Sequence, residues 1–504
     1  MRFTFAAAKN GLPVCSAGNV QLHSFYDPSR EAERFADLQN PPFEPAVLIV
    51  TEPALSYCKS FLACRFPSAQ CWAIRYTGDF FETDTLWDKV LYAPGKNAEA
   101  IAADLFSALG EENLFATAFI SWEPSERAFP EESAAAWEGI RLALSKARDI
   151  LGTREYFAKR WVKNAVRFSV STGVTAEVIR GDSPILVAAS GPSLKACLLF
   201  LRDFREHFFL IALSSALETL LSSGVIPDLC MSTDGGYWAK EHLASLRRNN
   251  AIPLACSPES QIPAELFANH PVIPLSYGDG IESFLLDECG IPSVRAERNG
   301  TVSGTTACFA LGVTSGEVFF CGLDLAPDKG TQHTLSNQLD TQARTQDFRL
   351  APLSHRYVGA ALSSGALSLY RAWFSSQGGG FSSRFCRVSS ASYERPLGKI
   401  RDISLEQATG RLLKTSGCRQ PKIVLSPGAS SLADRMKKLS GALEYLKEDA
   451  ASDMTLKALF PAGYVQCRRD GDAEKRNSLK QQARRFLDEL KVFAQKIQEA
   501  SGVY

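Results

Sequence analysis

The sequence predicts an α/β protein: a Rossmann-like, mostly parallel sheet in a central domain, a smaller N-terminal α/β domain, and a C-terminal helical region. Three observations point there. Between Ser183 and Phe385, short apolar runs of strand length alternate with helical stretches of about ten residues, the grammar of right-handed β-α-β crossovers. The strand-like runs end on small or turn-forming residues, Ser190-Gly191, Ser214-Ser215, Asp234-Gly235 and Gly322-Leu323-Asp324. After Ser430 the chain turns charged and takes on helical periodicity. The expected divisions are 1–150, a helical connector over 151–182, the central domain over 183–400 and the helical region over 401–504.

In the N-terminal part, Val47–Thr51 is a strand closed by Glu52-Pro53, and Ala54–Arg65 a helix with Leu55, Cys58, Leu62 and Phe66 at helical spacing. Cys71–Tyr76 and Phe115–Trp122 are further strands. Helices follow over 131–151 and 153–168, broken at Gly152. The central domain opens with strand Pro184–Ala189, the turn Ser190-Gly191-Pro192-Ser193 and helix Leu194–Phe204. Strand Phe208–Leu213, helix Ser214–Ser222, and strands Asp228–Thr233, Pro253–Cys256 and Val272–Leu275 come next. A helix then starts at Ser303-Gly304-Thr305, and Glu317–Gly322 is a late strand. In a doubly wound sheet the ligand site lies outside the strand carboxyl ends, where the strand order reverses. The last helix carries Leu479, Ala483, Phe486, Leu490, Phe493 and Ile497 on one stripe, suited to packing on the core or to a homo-oligomer contact.

Composition excludes several classes. The 504 residues are too many for one ordinary core. With 45% hydrophobic and 22% charged residues the chain is globular. Its 55 basic and 55 acidic side chains cancel, so no global field attracts nucleic acid or an anionic membrane. No apolar run approaches the ~18 residues of a membrane span. The start Met1-Arg2-Phe3-Thr4, with Lys9 and Asn10 behind it, lacks a signal peptide's pattern, so a cytoplasmic location is expected. Thirteen cysteines are scattered without a C-x-x-C pair beside only six histidines, which reads as reduced core thiols and no metal site.

The turn Ser190-Gly191-Pro192-Ser193, with Lys195 behind it, suits a phosphate. Gly191 lets a ligand approach the backbone, Pro192 fixes φ, Ser193 caps the helix, and the helix start adds about half a positive charge. Ser214 and Ser215, Asp234 and Gly235, Asp324, and the helix start at Ser303, Gly304 and Thr305 would stand on the same rim.

These segments (PILVAASGPSLK, LIALSSALETLLSSGVIPDLCMSTDGG and GTVSGTTACFALGVTSGEVFFCGLDLAPDKGTQHT) resemble the motility accessory factor (Maf) family of flagellin glycosyltransferases. That family's central domain is described as MptE-like, after 6-hydroxymethylpterin diphosphokinases. The same segments are similar to bacterial sialyltransferases that use CMP-sialic acid. The likeness runs over Phe157–Ile400 and includes Trp161-x-x-Asn164. It implies transfer of a pseudaminic- or legionaminic-type nonulosonic acid from its CMP conjugate to Ser or Thr of flagellin. Gly191, Ser193 and Lys195 would stabilise the leaving phosphate. Ser190, Pro192, Ser214, Ser215, Asp234 and Gly235 would line the nucleotide, and Ser303, Gly304 and Thr305 the sugar carboxylate or phosphate.

His333 matches the family's G-x-x-H position and His355 lies nearer the sialyltransferase histidine; both are candidate bases, with Asp324 beside them. No cofactor is required, although Asp234 and Asp324 are able to hold magnesium. The alternatives are a pterin diphosphokinase using ATP and magnesium, and a non-catalytic flagellar assembly factor.

Overall fold

The computed structural model describes residues 3–236, 239–326, 334, 348–350, 352, 365–388, 395–415, 417–426 and 431–501. They form two compact units, Met1–Ala158 with Leu456–Ala483, and Lys159–Thr455 with Arg484–Tyr504. Residues 401–504, expected as one helical region, are thus divided between the two. The helix Pro130–Ser171 runs unbroken through Gly152, where the sequence suggests a break. A helical glycine costs only about 1 kcal/mol relative to alanine, too little to end so long a helix.

The first unit opens with an antiparallel meander of β1 (Phe3–Ala7), β2 (Pro13–Ala17) and β3 (Val20–Gln21). Its main sheet is parallel, with β4 (Val47–Thr51), β5 (Gln70–Arg75), β6 (Lys89–Tyr92) and β7 (Thr117–Ser121) in the order β6-β5-β4-β7. Val47 and Ile49 enter one core cluster while Leu48 and Val50 enter the other. Both faces are therefore covered, which explains the uninterrupted apolar run. The helix after β4 begins at Cys58, not at Ala54. Arg75 is the reason: fully buried, it donates to Glu52 Oε1 (3.0 Å), Ala54 O (2.9 Å) and Ser56 Oγ (2.9 Å). Those three residues are held at positive φ, and residues at positive φ cannot belong to a right-handed helix.

In the second unit, β8 (Ala176–Ile179) lies outside the main sheet. The main sheet comprises β9 (Ile185–Ala188), β10 (Phe209–Leu213), β11 (Leu229–Ser232), β12 (Leu254–Cys256), β13 (Val272–Ser276), β14 (Val294–Arg295), β15 (Val318–Cys321), β16 (Phe385–Val388) and β17 (Arg401–Ile403). β18 (Lys422–Leu425) pairs antiparallel with β8. Among the described residues the nine main strands are all parallel, in the order β14-β13-β12-β11-β10-β9-β15-β16-β17.

The chain enters this sheet at β9, works outward to β14, and returns to place β15 on the other side of β9. The reversal therefore falls between β9 and β15, and the crevice at their carboxyl ends is the expected ligand site. The helix Val302–Val313 crosses back over the sheet, packing Ala307, Phe309, Ala310 and Val313 into the core with Ile185, Val187, Ile211 and Leu229.

The last helix, Ala473–Ser501, buries Leu487, Leu490 and Ala494, with Phe486 and Phe493 half-buried beneath Lys159 and Lys163. All thirteen cysteines are free thiols, most of them buried. Among the described residues no helix is long and apolar enough to cross a membrane.

Candidate functional site

Two loops meet at the reversal, Ala189–Ser193 after β9 and Gly322–Asp324 after β15, and hydrogen bonds join them. Ala189 N donates to Cys321 O (2.8 Å), Gly191 N to Gly322 O (2.9 Å) and Ser193 N to Asp324 Oδ2 (2.8 Å). The Ser193 hydroxyl donates to Oδ1 of the same carboxylate. The sequence suggests unpaired amides at Gly191 and Ser193 open to a phosphate, and the structure corrects this. A carboxylate of the chain itself occupies that position. Ser193 does not cap its helix either; its backbone is helical (φ −64°, ψ −19°) and its side chain serves Asp324.

Gly191 is needed for close approach of the two loops. A Cβ there would stand 2.4 Å from Gly322 O and 2.7 Å from Asp324 Cγ. Gly322, at φ +72°, faces the same constraint, 2.3 Å from Ala189 O. Asp324 is buried with both oxygens engaged, so it positions the turn and is not placed to act as a base.

The neighbouring strand ends bear the remaining candidates. Ser214 is buried in the turn after β10, and the half-buried Ser215 donates to Ser190 Oγ (2.9 Å). Pro192 is half-buried and Lys195 exposed on the first helical turn. Asp234 is exposed after β11, with Gly236 N donating to its Oδ1 (2.7 Å). A Cβ on Gly235 would meet the Trp161 indole at 2.5 Å and Glu259 O at 2.8 Å. Asn164, one helical turn beyond Trp161, donates to Glu259 O (2.8 Å). The Trp161-x-x-Asn164 pair therefore supports the Asp234 loop from behind.

Thr301 caps the next helix by accepting from Ser303 N (3.2 Å). Ser303 is buried, and Gly304 packs against Asn299. Thr305 is fully buried with its hydroxyl on Glu297 O (3.1 Å), so it does not reach the rim.

His333 and His355 lie outside the described residues. Thr334, next in the chain to His333, donates from N to Ser190 O (2.7 Å) and from its hydroxyl to Gly191 O (2.6 Å). Of the two carboxylates suggested for magnesium, Asp324 accepts from Ser193 through both oxygens, while Asp234 is exposed. Among the described residues, no three His, Cys, Asp or Glu side chains converge as metal ligands.

Two groups of residues were missed by the sequence analysis. Helix Gly365–Ser375 brings Tyr370 and Arg371 to the site. Burial, and then the charge of Asp234, raise the pKa of the Tyr370 phenol. Arg371 donates to Leu325 O (3.1 Å). Their only signal in the sequence is the single charge of Arg371, with Tyr370 beside it, in the mostly apolar stretch Leu367–Phe374. At the ends of β12 and β13, Arg298 binds Glu259 (2.7 Å) and Glu282 (2.9 Å) and lies 4.3 Å from the centre of the Tyr277 ring. Burial, and then the charge of Glu259, push Glu282 up to about 8.

Residues 159–330 match the family model described as 6-hydroxymethylpterin diphosphokinase MptE-like. An uncharacterized protein of Treponema pallidum (strain Nichols) is 31% identical over 279 residues, 55% of this chain and 61% of the relative. The chain thus matches about three-fifths of that relative's length. A solved structure of a Maf glycosyltransferase from Magnetospirillum magneticum AMB-1 is similar with a TM-score of 0.49 at 13% identity, covering 99% of this chain and 93% of that one.

Proposed function

We propose, from the premise that residues 159–330 are an MptE-like domain, that this chain is a glycosyltransferase. Its donor is a CMP-activated nonulosonic acid, its acceptor a Ser or Thr hydroxyl of flagellin, and its place the cytoplasm. The observation that carries the reading is the gathering of hydroxyl- and carboxylate-bearing loops at the carboxyl ends of β9, β10, β11 and β15, around the reversal of strand order. The sequence resemblance to the Maf and sialyltransferase motifs lies in the same loops.

Breaking the bond between CMP and the sugar leaves a phosphate with the nucleotide and positive charge on the anomeric carbon. The acceptor oxygen attacks that carbon and gives up its proton to a base. Ser190, Ser215 and Asp234 flank the nucleoside, while the helix start at Thr301–Ser303 presents its positive dipole end to the donor's acid groups. Asp324 holds the Ser190–Ser193 turn in shape. His333 is the first choice of base and His355 the second.

Thermal denaturation of the full chain with CMP, CTP, and ATP with magnesium tests the donor class, and selective stabilisation by CMP is expected. Incubation with flagellin and a CMP-linked nonulosonic acid should then add the mass of that sugar to flagellin. Stabilisation by ATP with magnesium alone would move the reading to a diphosphokinase. No response to any nucleotide would move it to an assembly factor.

A further inference from the structure

Past the carboxyl end of β15, the guanidinium groups of Arg371 and Arg387 both reach the segment Leu323–Leu325, and Arg387 also holds the backbone of Arg395. Arg387, fully buried, takes both oxygens of Asp402 (2.7 Å each) and also donates to Arg395 O (2.8 Å). Asp402 is thereby engaged. Arg371 reaches Leu325 O through one Nη2, and its Nε is buried with no acceptor. Leu325 presents that carbonyl from φ +48°, a strained conformation for a side chain of its kind.

Arg395 is exposed, and among the described residues no carboxylate pairs with it or with Arg371. The three cations sense one another: the pKa of Arg371 is lowered by burial and then by the charges of Arg395 and Arg387. Two planar forks, one with a buried idle donor, belong to residues gathered beside the loop after β15, with no counter-charge among the described residues. Phosphate and carboxylate oxygens fit that geometry.

We propose that Arg371 and Arg395 form the oxyanion subsite of this rim, binding the phosphate or carboxylate of the ligand in the role the sequence analysis gave to the Gly191 and Ser193 amides. The inference rests on the reading that the rim takes an activated acid sugar, and it names the groups that hold the acid.

The test is calorimetric titration of the full chain with inorganic pyrophosphate, CMP and free N-acetylneuraminic acid, in the wild type, Arg371→Gln and Arg395→Gln. Arg371→Gln should weaken at least one probe by about tenfold or more and Arg395→Gln by a smaller factor, with little change in melting temperature. Loss confined to pyrophosphate and CMP assigns the subsite to phosphate; loss confined to the acid sugar assigns it to carboxylate. Wild-type affinity in both variants for every probe, or no binding of any probe by the wild type, overturns the proposal. Arg371-dependent binding of pyrophosphate without any binding of CMP keeps the subsite and removes the CMP reading. Should Arg371→Gln fail to fold, Arg371→Lys keeps the charge but not the fork and must give intermediate affinity.

Discussion

Ser193 and Asp324 lie 131 residues apart in the chain, yet the Ser193 amide and hydroxyl share the two oxygens of the Asp324 carboxylate. This pairing closes the sheet at its reversal and fixes the shape of the turn after β9. Removing the carboxylate orphans a buried amide, and hydrogen bonds to charged groups are the stronger kind. Asp324→Ala should therefore destabilise the protein by about 2–4 kcal/mol in urea unfolding. Asp324→Asn, whose carboxamide still accepts from Ser193 N, should lose about half of that. Equal midpoints for wild type and Asp324→Ala would show the pairing to be incidental.

Two glycines should respond oppositely to alanine. At Gly191 a methyl meets main-chain Gly322 O at 2.4 Å, and the two bonded loops have little room to separate. Gly191→Ala should cost more than about 2 kcal/mol by overpacking. Gly152 sits exposed in a continuous helix with nothing within 4 Å of its Cβ position. Gly152→Ala should gain about 0.5–1 kcal/mol. Denaturant midpoints check both, and a neutral Gly191→Ala would mean that the two loops can separate to admit a methyl group.

The strands β9 to β13 and β15 were legible because each is a short apolar run closed by small or turn-forming residues, within a residue or two of the expected ends. β17 (Arg401–Ile403) was not: a three-residue edge strand with two exposed positions carries no apolar pattern, and it falls just past the expected boundary at 400. The rim loops were found from their residue types, but the pairing of Ser193 with Asp324 depends on a tertiary meeting that local pattern does not encode. Buried arginines hide for a similar reason. Arg75 and Arg387 look like surface charges in sequence, and partners brought in from other elements, Glu52 and Asp84 for Arg75 and Asp402 for Arg387, make burial tolerable.

Glu282 should give the stability a pH dependence of definite sign. Its ordinary value is 4.5, and burial and the nearby Glu259 raise it to about 8 in spite of Arg298. Between those values the unfolded chain has released the proton while the folded chain keeps it. Stability contributed by this group is therefore present below pH 4.5 and declines as pH rises toward 8, by at most about 1.4 kcal/mol per unit. Glu282→Gln keeps an oxygen for Arg298 but does not titrate. It should flatten the profile and be more stable than the wild type at pH 8 by about 1–3 kcal/mol. Urea midpoints at pH 5, 6.5 and 8 decide the matter, and parallel profiles for the two proteins would remove the assignment.

In the proposed glycosyltransferase reaction, the base can be told from the donor-binding groups by separating turnover from affinity. A base acts on the acceptor hydroxyl and does not touch the nucleotide, so its loss lowers the rate of the chemical step and leaves CMP affinity unchanged. His333→Ala should cut sugar transfer to flagellin by about 10²–10⁴-fold, with the same dissociation constant for CMP by calorimetry. His355→Ala should leave the rate within a fewfold of wild type. The opposite ranking would move the role to His355. A fall in CMP affinity in His333→Ala would instead make His333 part of the nucleotide pocket, consistent with the attachment of its neighbour Thr334 to the carbonyls of Ser190 and Gly191.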